Sequence, residues 1–411
     1  MWQKTVKPFV DSGELVVVGV VQEQHPERAR LYAQWRELDW PIFVDSLNLL
    51  LLDVVPVPVA IDESGVVRHE SIRPRQLVKK FLEIDYPAVD SAPLAIAPRP
   101  NIDQLRADAK RTQTAEAWRE VGDAFFLEGG KGTLHGAAQA YEQAIAADST
   151  DARAHFRLGV VLRNRYESAE LRKKGDAQRA VEQWGFALSL NPNQYIWRRR
   201  IQQYGPRLDK PYNFYFWVEQ ARKEIKARGE TPVRLAVEPA GSELAPPAKG
   251  RGADGDRSAA SVAASAPSCR ETNESLHRDD RSHVAIESIV TPARVRPGQR
   301  VRVRVGFQLN PKTRPYWNNE ARELAICLDP PPGLSLGEGS LVFPNPSKAE
   351  TQEDRAVEFE VTIADEAQPG VISMPAYALY YVCENRGGKC RYLRKNFAVS
   401  IEIDPTAPML R

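Results

Sequence analysis

Cys383 and Cys390 are the residues of this chain best placed to do chemistry. In Tyr380-Tyr-Val-Cys383-Glu-Asn-Arg-Gly-Gly-Lys-Cys390-Arg-Tyr392, two thiols flank a short loop that contains two glycines. If the flanking segments pair as a hairpin, the two α-carbons come within disulfide range. Three chemistries are open to such a pair: a static disulfide, an exchanging dithiol, or two unpaired thiols. A static bond closing so short a loop contributes about 2.5 kcal/mol through loop entropy. Arg386, Lys389, Arg391 and Arg394 surround the pair with positive charge, which favours thiolate over thiol and makes either sulfur a better nucleophile. Glu384 works weakly the other way. A reduction potential below about −300 mV marks a structural bond rather than an exchanging one. Of the remaining cysteines, Cys327 in Leu324-Ala-Ile-Cys-Leu328 is expected as a buried core residue, and Cys269 has no obvious local partner. The six histidines lack metal-ligand spacing, and no phosphate-cradling glycine loop or nucleophile elbow occurs. These absences argue against a metalloenzyme, a nucleotide enzyme and a serine hydrolase. No cofactor or metal is expected.

The elements that hold the pair are extended. Val301, Val303, Val305, Phe307 and Leu309 alternate with Arg302, Arg304, Gly306 and Gln308. Val357, Phe359, Val361 and Ile363 repeat the pattern, as do Phe397, Val399, Ile401 and Ile403. Period two with one apolar face predicts antiparallel strands, and Pro-Gly at 297–298 and 369–370 supplies turns. About seven short strands over residues 283–405 predict a β-sandwich of immunoglobulin-like shape. The early Val-x-Pro-Gly-x-x-Val-x-Val-x-Val run, with a tyrosine strand, Cys, short loop, Cys and final strand later, resembles a redox module. It is similar to the amino-terminal domain of the transmembrane bacterial thiol:disulfide interchange proteins over most of residues 284–403, with one extra loop residue here. That resemblance implies that Cys383 and Cys390 are an exchanging pair, and nothing else carries over.

At the other end, an apolar run reaches Val54-Val-Pro-Val-Pro-Val-Ala-Ile-Asp62 and turns on Asp62-Glu-Ser-Gly65 into Val66-Val-Arg68. A proline within a strand removes a ladder donor, so it marks an edge, a bulge or a cis bond. Before it, Glu14–Val21 is a β-branched run long enough for a strand buried on both faces of a parallel sheet. Pro26–Leu38 reads as a crossover helix, Pro41–Val44 as a strand and Gln76–Leu82 as a closing helix. This order resembles the thioredoxin-like (redoxin) family over about the first 85 residues, which implies a cis bond at Pro56 rather than Pro58. The family's Cys-x-x-Cys dithiol is absent, and Met1-Trp2-Gln3-Lys4 falls where its first helix is already under way. The resemblance therefore implies a domain lacking its first strand and cysteine-bearing turn, and an upstream in-frame strand with a cysteine is the expectation to check.

The middle changes period. Trp118-x3-Gly122-x2-Phe125 with Ala137-x3-Tyr141-x2-Ala144, then Leu158-Gly159-x2-Leu162 with Ala180-x3-Trp184-x2-Ala187, set bulky residues against small ones at helical spacing. Both copies resemble tetratricopeptide repeats, with Asn191-Pro192 closing the second and insertions at Gly129–Thr133 and Tyr166–Gly175. Two repeats need covering neighbours, so Tyr195–Tyr204 and Tyr212–Ile225 read as capping helices. The aromatic run Tyr212-Asn-Phe-Tyr-Phe-Trp217 reads as a cap packed onto the last repeat. Alternatively Tyr212, Phe216 and Trp217 anchor a partner peptide in a groove.

Length and charge set the limits. A chain of 411 residues is too long for one core. The formal charge of +2 gives no field toward nucleic acid or anionic lipid. The longest apolar stretch, Leu47–Ile61, is too short and too interrupted to span a bilayer. The expected layout is an incomplete thioredoxin-like α/β domain at 1–88, a connector at 89–113, all-α repeats at 114–230, a flexible linker at 231–282 and an all-β domain at 283–405. As written the chain reads as soluble: exported or periplasmic if an upstream signal precedes it, otherwise cytoplasmic. Two functions fit. One is a thiol–disulfide protein with exchange at Cys383 and Cys390 and a thiol-bearing partner. The other is a non-catalytic scaffold whose repeats hold a protein or peptide and whose disulfide is structural.

Overall fold

A computed structural model describes residues 2–87, 98–204, 217–235, 276–339, 341–384 and 390–407. Helices and several separate sheets make it a multidomain mixed α/β chain. The described residues fall into two compact units. One runs to Arg165 and takes in Gln183–Arg200 and the helix beginning at Trp217; the other takes in Tyr166–Glu182 and the β-rich C-terminal part.

The first unit opens with α1 (Trp2–Asp11), β1 (Gly19–Val21), α2 (Pro26–Arg36), β2 (Ile42–Val44), β3 (Ala60–Ile61) and β4 (Val67–His69). Pro26 starts α2, where its missing N–H has no partner to lose. β1 lies parallel to β2 with Gly19 opposite Ile42 and Val21 opposite Val44. β3 and β4 form a separate antiparallel hairpin. Its turn is built by Asp62: Oδ1 accepts from Ser64 and Val66 N–H at 3.0 and 2.9 Å, and Arg68 donates to Oδ2 at 2.6 Å. Gly65 supplies the left-handed backbone the turn needs, at φ 78°. The Val55–Pro56 peptide bond is cis, whereas Val54–Val59 forms no ladder.

The run expected as a strand buried on both faces is corrected by the structure. Its ladder covers only Gly19–Val21, and Val16, Val18 and Val20 are 82%, 52% and 42% exposed. Leu15 and Val17, pointing the other way, pack toward Val6 of α1. Among the described residues β1 pairs with β2 alone, so one face has helix cover and the other has none. The expected closing helix is reduced to a short turn at Pro74–Gln76 and a single wide turn at Val78–Leu82.

The same unit continues through α3 (Ile102–Thr112), α4 (Ala115–Glu128), α5 (Leu134–Ala147), α6 (Ala152–Glu167), α7 (Asp176–Leu190), α8 (Tyr195–Tyr204) and α9 (Trp217–Ala227). α6 and α7 have their junction, Tyr166–Glu182, in the second unit. Asn101 and Thr114 cap α3 and α4 by accepting from Gln104 and Ala117 N–H, as short polar side chains at helix starts do. α3 forms inside the expected connector, where Ala109 and Leu105 join Trp118 and Val121 of α4 in one core. The bulky-against-small spacing is realised at α4 and α5: fully buried Tyr141 lies over Gly122, and its hydroxyl donates to Asp123 at 2.6 Å. Side chains join the helices and the N-terminal stretch in both directions. Gln24 donates to the Val160 carbonyl at 2.9 Å, and Arg157 to the Leu47 carbonyl at 3.2 Å. The first 88 residues and these helices thus share a unit.

The second unit is built from β5 (Val284–Thr291), β6 (Arg294–Val295), β7 (Arg300–Leu309), β8 (Pro315–Asn318), β9 (Leu324–Leu328), β10 (Leu334–Gly339), β11 (Val342–Phe343), β12 (Glu350–Thr351), β13 (Arg355–Ile363), β14 (Gly370–Glu384) and β15 (Cys390–Ile403). One sheet has the order β10-β13-β7-β5; the other runs β11-β9-β14-β15-β6, with β8 on β14 and β12 on β8. Both contribute to one core, which holds Val303, Phe307, Phe359 and Val361 from the first sheet and Ile326, Tyr380, Val399 and Ile401 from the second. The alternating runs carry this core on one face. On the opposite face of β7 and β13, Arg302 and Arg304 pair across the ladder with Glu360 and Glu358 at 3.1 and 2.8 Å. Tyr166–Glu182 adds to the same unit: Gln178 accepts from Val290 N–H at 2.8 Å, and Tyr166, Ala177, Val181 and Ile289 form a small apolar cluster. Most of the expected linker, residues 236–275 with Cys269, lies outside the described residues.

Candidate functional site

β14 and β15 form a long antiparallel hairpin, with Gly370 opposite Ile403 at one end of the register. Its register sets Cys383 opposite Cys390, and the two are disulfide-bonded. Residues 385–389 between them, including Arg386 and Lys389, lie outside the described residues. The two sulfur-bearing residues differ in access: Cys383 is 1% exposed, whereas Cys390 is exposed. β8 runs along the other side of β14 and sets the buried Tyr316 opposite Cys383. Tyr381 and Tyr392 are the next pair on the same face, their rings stacked at 4.5 Å.

Of the four cations expected around the pair, Arg391 and Arg394 are among the described residues. Arg391 lies 3.7 Å from Glu384, which also meets Arg281 at 3.1 Å and buried His283 at 3.5 Å. Arg394 is four residues along β15 from Cys390, about 13 Å at strand rise. Its guanidinium sits 3.8 Å from the centre of the Tyr377 ring, farther still from the sulfurs. Among the described residues, then, Arg391 alone of the expected cations adjoins the pair, and Glu384 shares its charge. His283 and Tyr316 come from distant strands, so local spacing gave no sign of them. Behind the hairpin, Tyr380 donates to buried Asp279 at 2.9 Å; burial, with Asp279 beside it, holds that phenol well above the usual tyrosine range. Cys327 is buried as expected, and it is disulfide-bonded.

Of the aromatic candidates, Tyr212 and Phe216 lie outside the described residues. Trp217 starts α9 and packs on α2 rather than on the last repeat. Its ring stacks on Trp35 at 5.8 Å and meets the edge of Tyr32 at 5.5 Å, while Val218, Ala221 and Ile225 continue the contact with Leu31. The physical reason is that α2 offers a tryptophan and a leucine on one helical face, a larger apolar surface than one ring needs. Trp217→Ala is therefore expected to cost about 1–2 kcal/mol, less than for a fully buried tryptophan because this one is half-buried. Urea unfolding followed at 222 nm checks the figure. An unchanged midpoint with lost peptide binding would restore the anchor role instead.

Among the described residues no group of three or more His, Cys, Asp or Glu side chains could hold a metal ion. No helix among them is long and apolar enough to cross a membrane.

A scan of protein-family models gives no match, and a search of curated proteins gives none. Solved structures similar to part of the chain include a protein of unknown function from Porphyromonas gingivalis W83, 15% identical with a TM-score of 0.18, covering 31% of this chain and 51% of that one. Spo0M, a sporulation control protein from Bacillus subtilis, is 12% identical with a TM-score of 0.17, covering 30% of this chain and 49% of that one. A chain of a type I cohesin–dockerin complex from Clostridium thermocellum is 14% identical with a TM-score of 0.19, covering 29% of this chain and 99% of that one. The chain spans about half the length of the first two. Likeness at these scores carries no argument about fold or function.

Proposed function

We propose that this chain is a protein of a thiol–disulfide redox pathway that exchanges its Cys383–Cys390 disulfide with a partner dithiol. In this reading the N-terminal stretch is an incomplete thioredoxin-like domain, α4 to α7 are tetratricopeptide-type hairpins that hold a protein or peptide partner, and the C-terminal unit is an immunoglobulin-like sandwich. The observation that carries it is the unequal access of the two cysteines, one buried and one exposed, at the end of the hairpin where its connecting loop begins. A partner thiolate attacks Sγ of Cys390, the S–S bond breaks, and its electron pair leaves on Cys383, which takes a proton from solvent. The partner's second thiolate then attacks the partner sulfur in the mixed disulfide and releases Cys390 as a thiolate, which takes a second proton from solvent. The partner ends as a disulfide and Cys383 and Cys390 as two thiols, so electrons and protons balance.

A second reading is a binding scaffold with a structural disulfide. It is supported by Glu384, which offsets the charge of Arg391, and by Arg394, which leans onto Tyr377. Both weaken the positive field an exchanging thiolate draws on. The reduction potential of the pair tests the two. A value above about −300 mV is expected, and one below it overturns exchange. Purified protein is also expected to reduce insulin when supplied with a dithiol, and a Cys383→Ala, Cys390→Ala variant to lose that activity. Equal rates from both proteins would favour the scaffold.

A further inference from the structure

The loop from Leu47 to Asp53, α6 and α8 enclose a cavity of about 150 Å³ within the first unit. Its apolar walls include Leu47 and Phe156, 1% exposed each. Two buried polar side chains also line it and have unmet hydrogen-bonding groups. Asn48 is 3% exposed and donates through Nδ2 to the Leu52 carbonyl at 2.9 Å. A carbonyl can only accept, so this bond fixes which end of the amide is oxygen. That oxygen, Oδ1, has no partner among the described residues. Trp197 is 4% exposed, its ring stacked on Phe156 at 5.2 Å, and its Nε1–H has no partner among the described residues either. A buried polar atom left unmet has lost its water without a replacement, so each of these two favours a ligand group that supplies one.

The loop that presents Asn48 is firmly built. Asp45 accepts from Leu49 and Leu50 N–H at 2.7 and 3.0 Å, and Tyr195 N–H donates to the Asp53 carbonyl at 3.2 Å. Asn48 itself sits at φ 52°, a conformation open to few residues besides glycine and asparagine. Charge at the site is balanced. Asp53 and Arg153 at the mouth carry opposite signs, and Arg157 in the wall is ion-paired with Asp123 at 2.6 Å. An ion entering such a cavity loses its hydration without a net opposite charge to receive it. A cavity of this size holds about six heavy atoms.

We propose that the cavity is a binding site for a neutral carboxamide, its C=O accepting from Trp197 Nε1–H and its N–H donating to Asn48 Oδ1. A carboxylate brings no donor for Asn48, and an ammonium brings no acceptor for Trp197. The amide comes either from a small free molecule or from a glutamine or asparagine side chain of a peptide. The site stands independently of the exchange reading.

The test follows the Trp197 indole N–H resonance of the ¹⁵N-labelled full chain, assigned with Trp197→Phe. Propionamide and propionate are titrated in parallel, along with Ac-Gly-Gln-Gly-NH₂ and Ac-Gly-Glu-Gly-NH₂. A saturable shift of that resonance is expected with propionamide and the glutamine peptide. It is expected to be at least about tenfold weaker with the acidic analogues, since they leave Asn48 unmet. Tighter binding of the peptide than of propionamide assigns the source to a protein side chain, and the reverse to a free amide. Asn48→Gly keeps the backbone conformation and removes Oδ1, so amide binding should fall by a similar factor. Equal shifts with amide and acid, or no shift with either, overturn the proposal and leave a cavity filled by water. The wild-type comparison decides even if the glycine variant fails to fold.

Discussion

Gly122→Val is expected to destabilise the first unit by about 3 kcal/mol, at the upper end of the cost of overpacking a core. A Cβ at this position lies 2.5 Å from Cε1, 2.7 Å from Cζ and 2.8 Å from Cδ1 of Tyr141. Real side chains do not approach so closely, so either the ring or the helix must move. The ring has nowhere to go: Tyr141 is 0% exposed, and its hydroxyl is held at 2.6 Å by Asp123, the residue next to Gly122. Helix propensity alone slightly favours valine over glycine, by a few tenths of a kcal/mol, so the clash decides the sign. Gly185→Val is the matched control, since Gly185 lies on the exposed side of α7 with nothing within 4 Å of a new Cβ. It is expected to be neutral. Helical CD followed during thermal unfolding should show the Gly122 variant melting well below wild type and the control close to it. Equal melting of the two variants would mean that the contact between α4 and α5 yields easily, and that the small residue there is not a packing requirement.

That glycine was legible because the helical repeat pattern encodes which residues must meet: a large ring in one helix and the missing side chain in its neighbour. The same holds for β7, β13 and β15, where period-two alternation is a direct imprint of one buried face. Opposition of Cys383 and Cys390 was legible as the consequence of a hairpin across a short loop, and β14 and β15 form that hairpin. What was hidden depends on tertiary neighbours. The Val16–Val20 run is as apolar as a strand buried on both faces, but burial needs a partner for each face, and a sequence does not state how many partners a strand has. Trp217 looked like a cap for the nearest helices, whereas its partner Trp35 lies at the other end of the unit's chain. His283 and Tyr316 reach the cysteine hairpin from separate strands, and the unmet atoms of Asn48 and Trp197 arise only once a loop and two helices close around them. Four cations near a dithiol in sequence suggested a positive site. Strand geometry carries Arg394 away from it, and Glu384, expected to act weakly against the cations, lies 3.7 Å from Arg391.

Arg157→Met is expected to cost about 3–5 kcal/mol at neutral pH, the usual penalty for removing one partner of a buried ion pair. Arg157 is 5% exposed and holds Asp123 Oδ2 at 2.6 Å, while its Nε donates to the Leu47 carbonyl. Burial pushes the Asp123 carboxyl above the ordinary aspartate range, against the opposing pull of Arg157, the Tyr141 hydroxyl and Arg119. Methionine fills much of the arginine stem's volume, so the loss is of charge rather than packing. Without the guanidinium, the carboxyl rises further. A carboxyl whose folded pKa is raised binds its proton more tightly in the folded state. Its destabilising effect is therefore full above the folded pKa and fades as pH falls toward the unfolded value. The gap between wild type and Arg157→Met should accordingly narrow as pH is lowered from 8 toward 5. Wild type carries the smaller elevation and loses less of its stability to this group at the high end. Asp123→Asn combined with Arg157→Met should remove most of the deficit and its pH dependence together, because no charge remains to be buried. Urea unfolding of the three proteins across that pH range measures both effects. A deficit that stays constant with pH, or a double variant as unstable as the single, would show that Arg157 acts through its packing and its bond to Leu47, not through the carboxylate it faces.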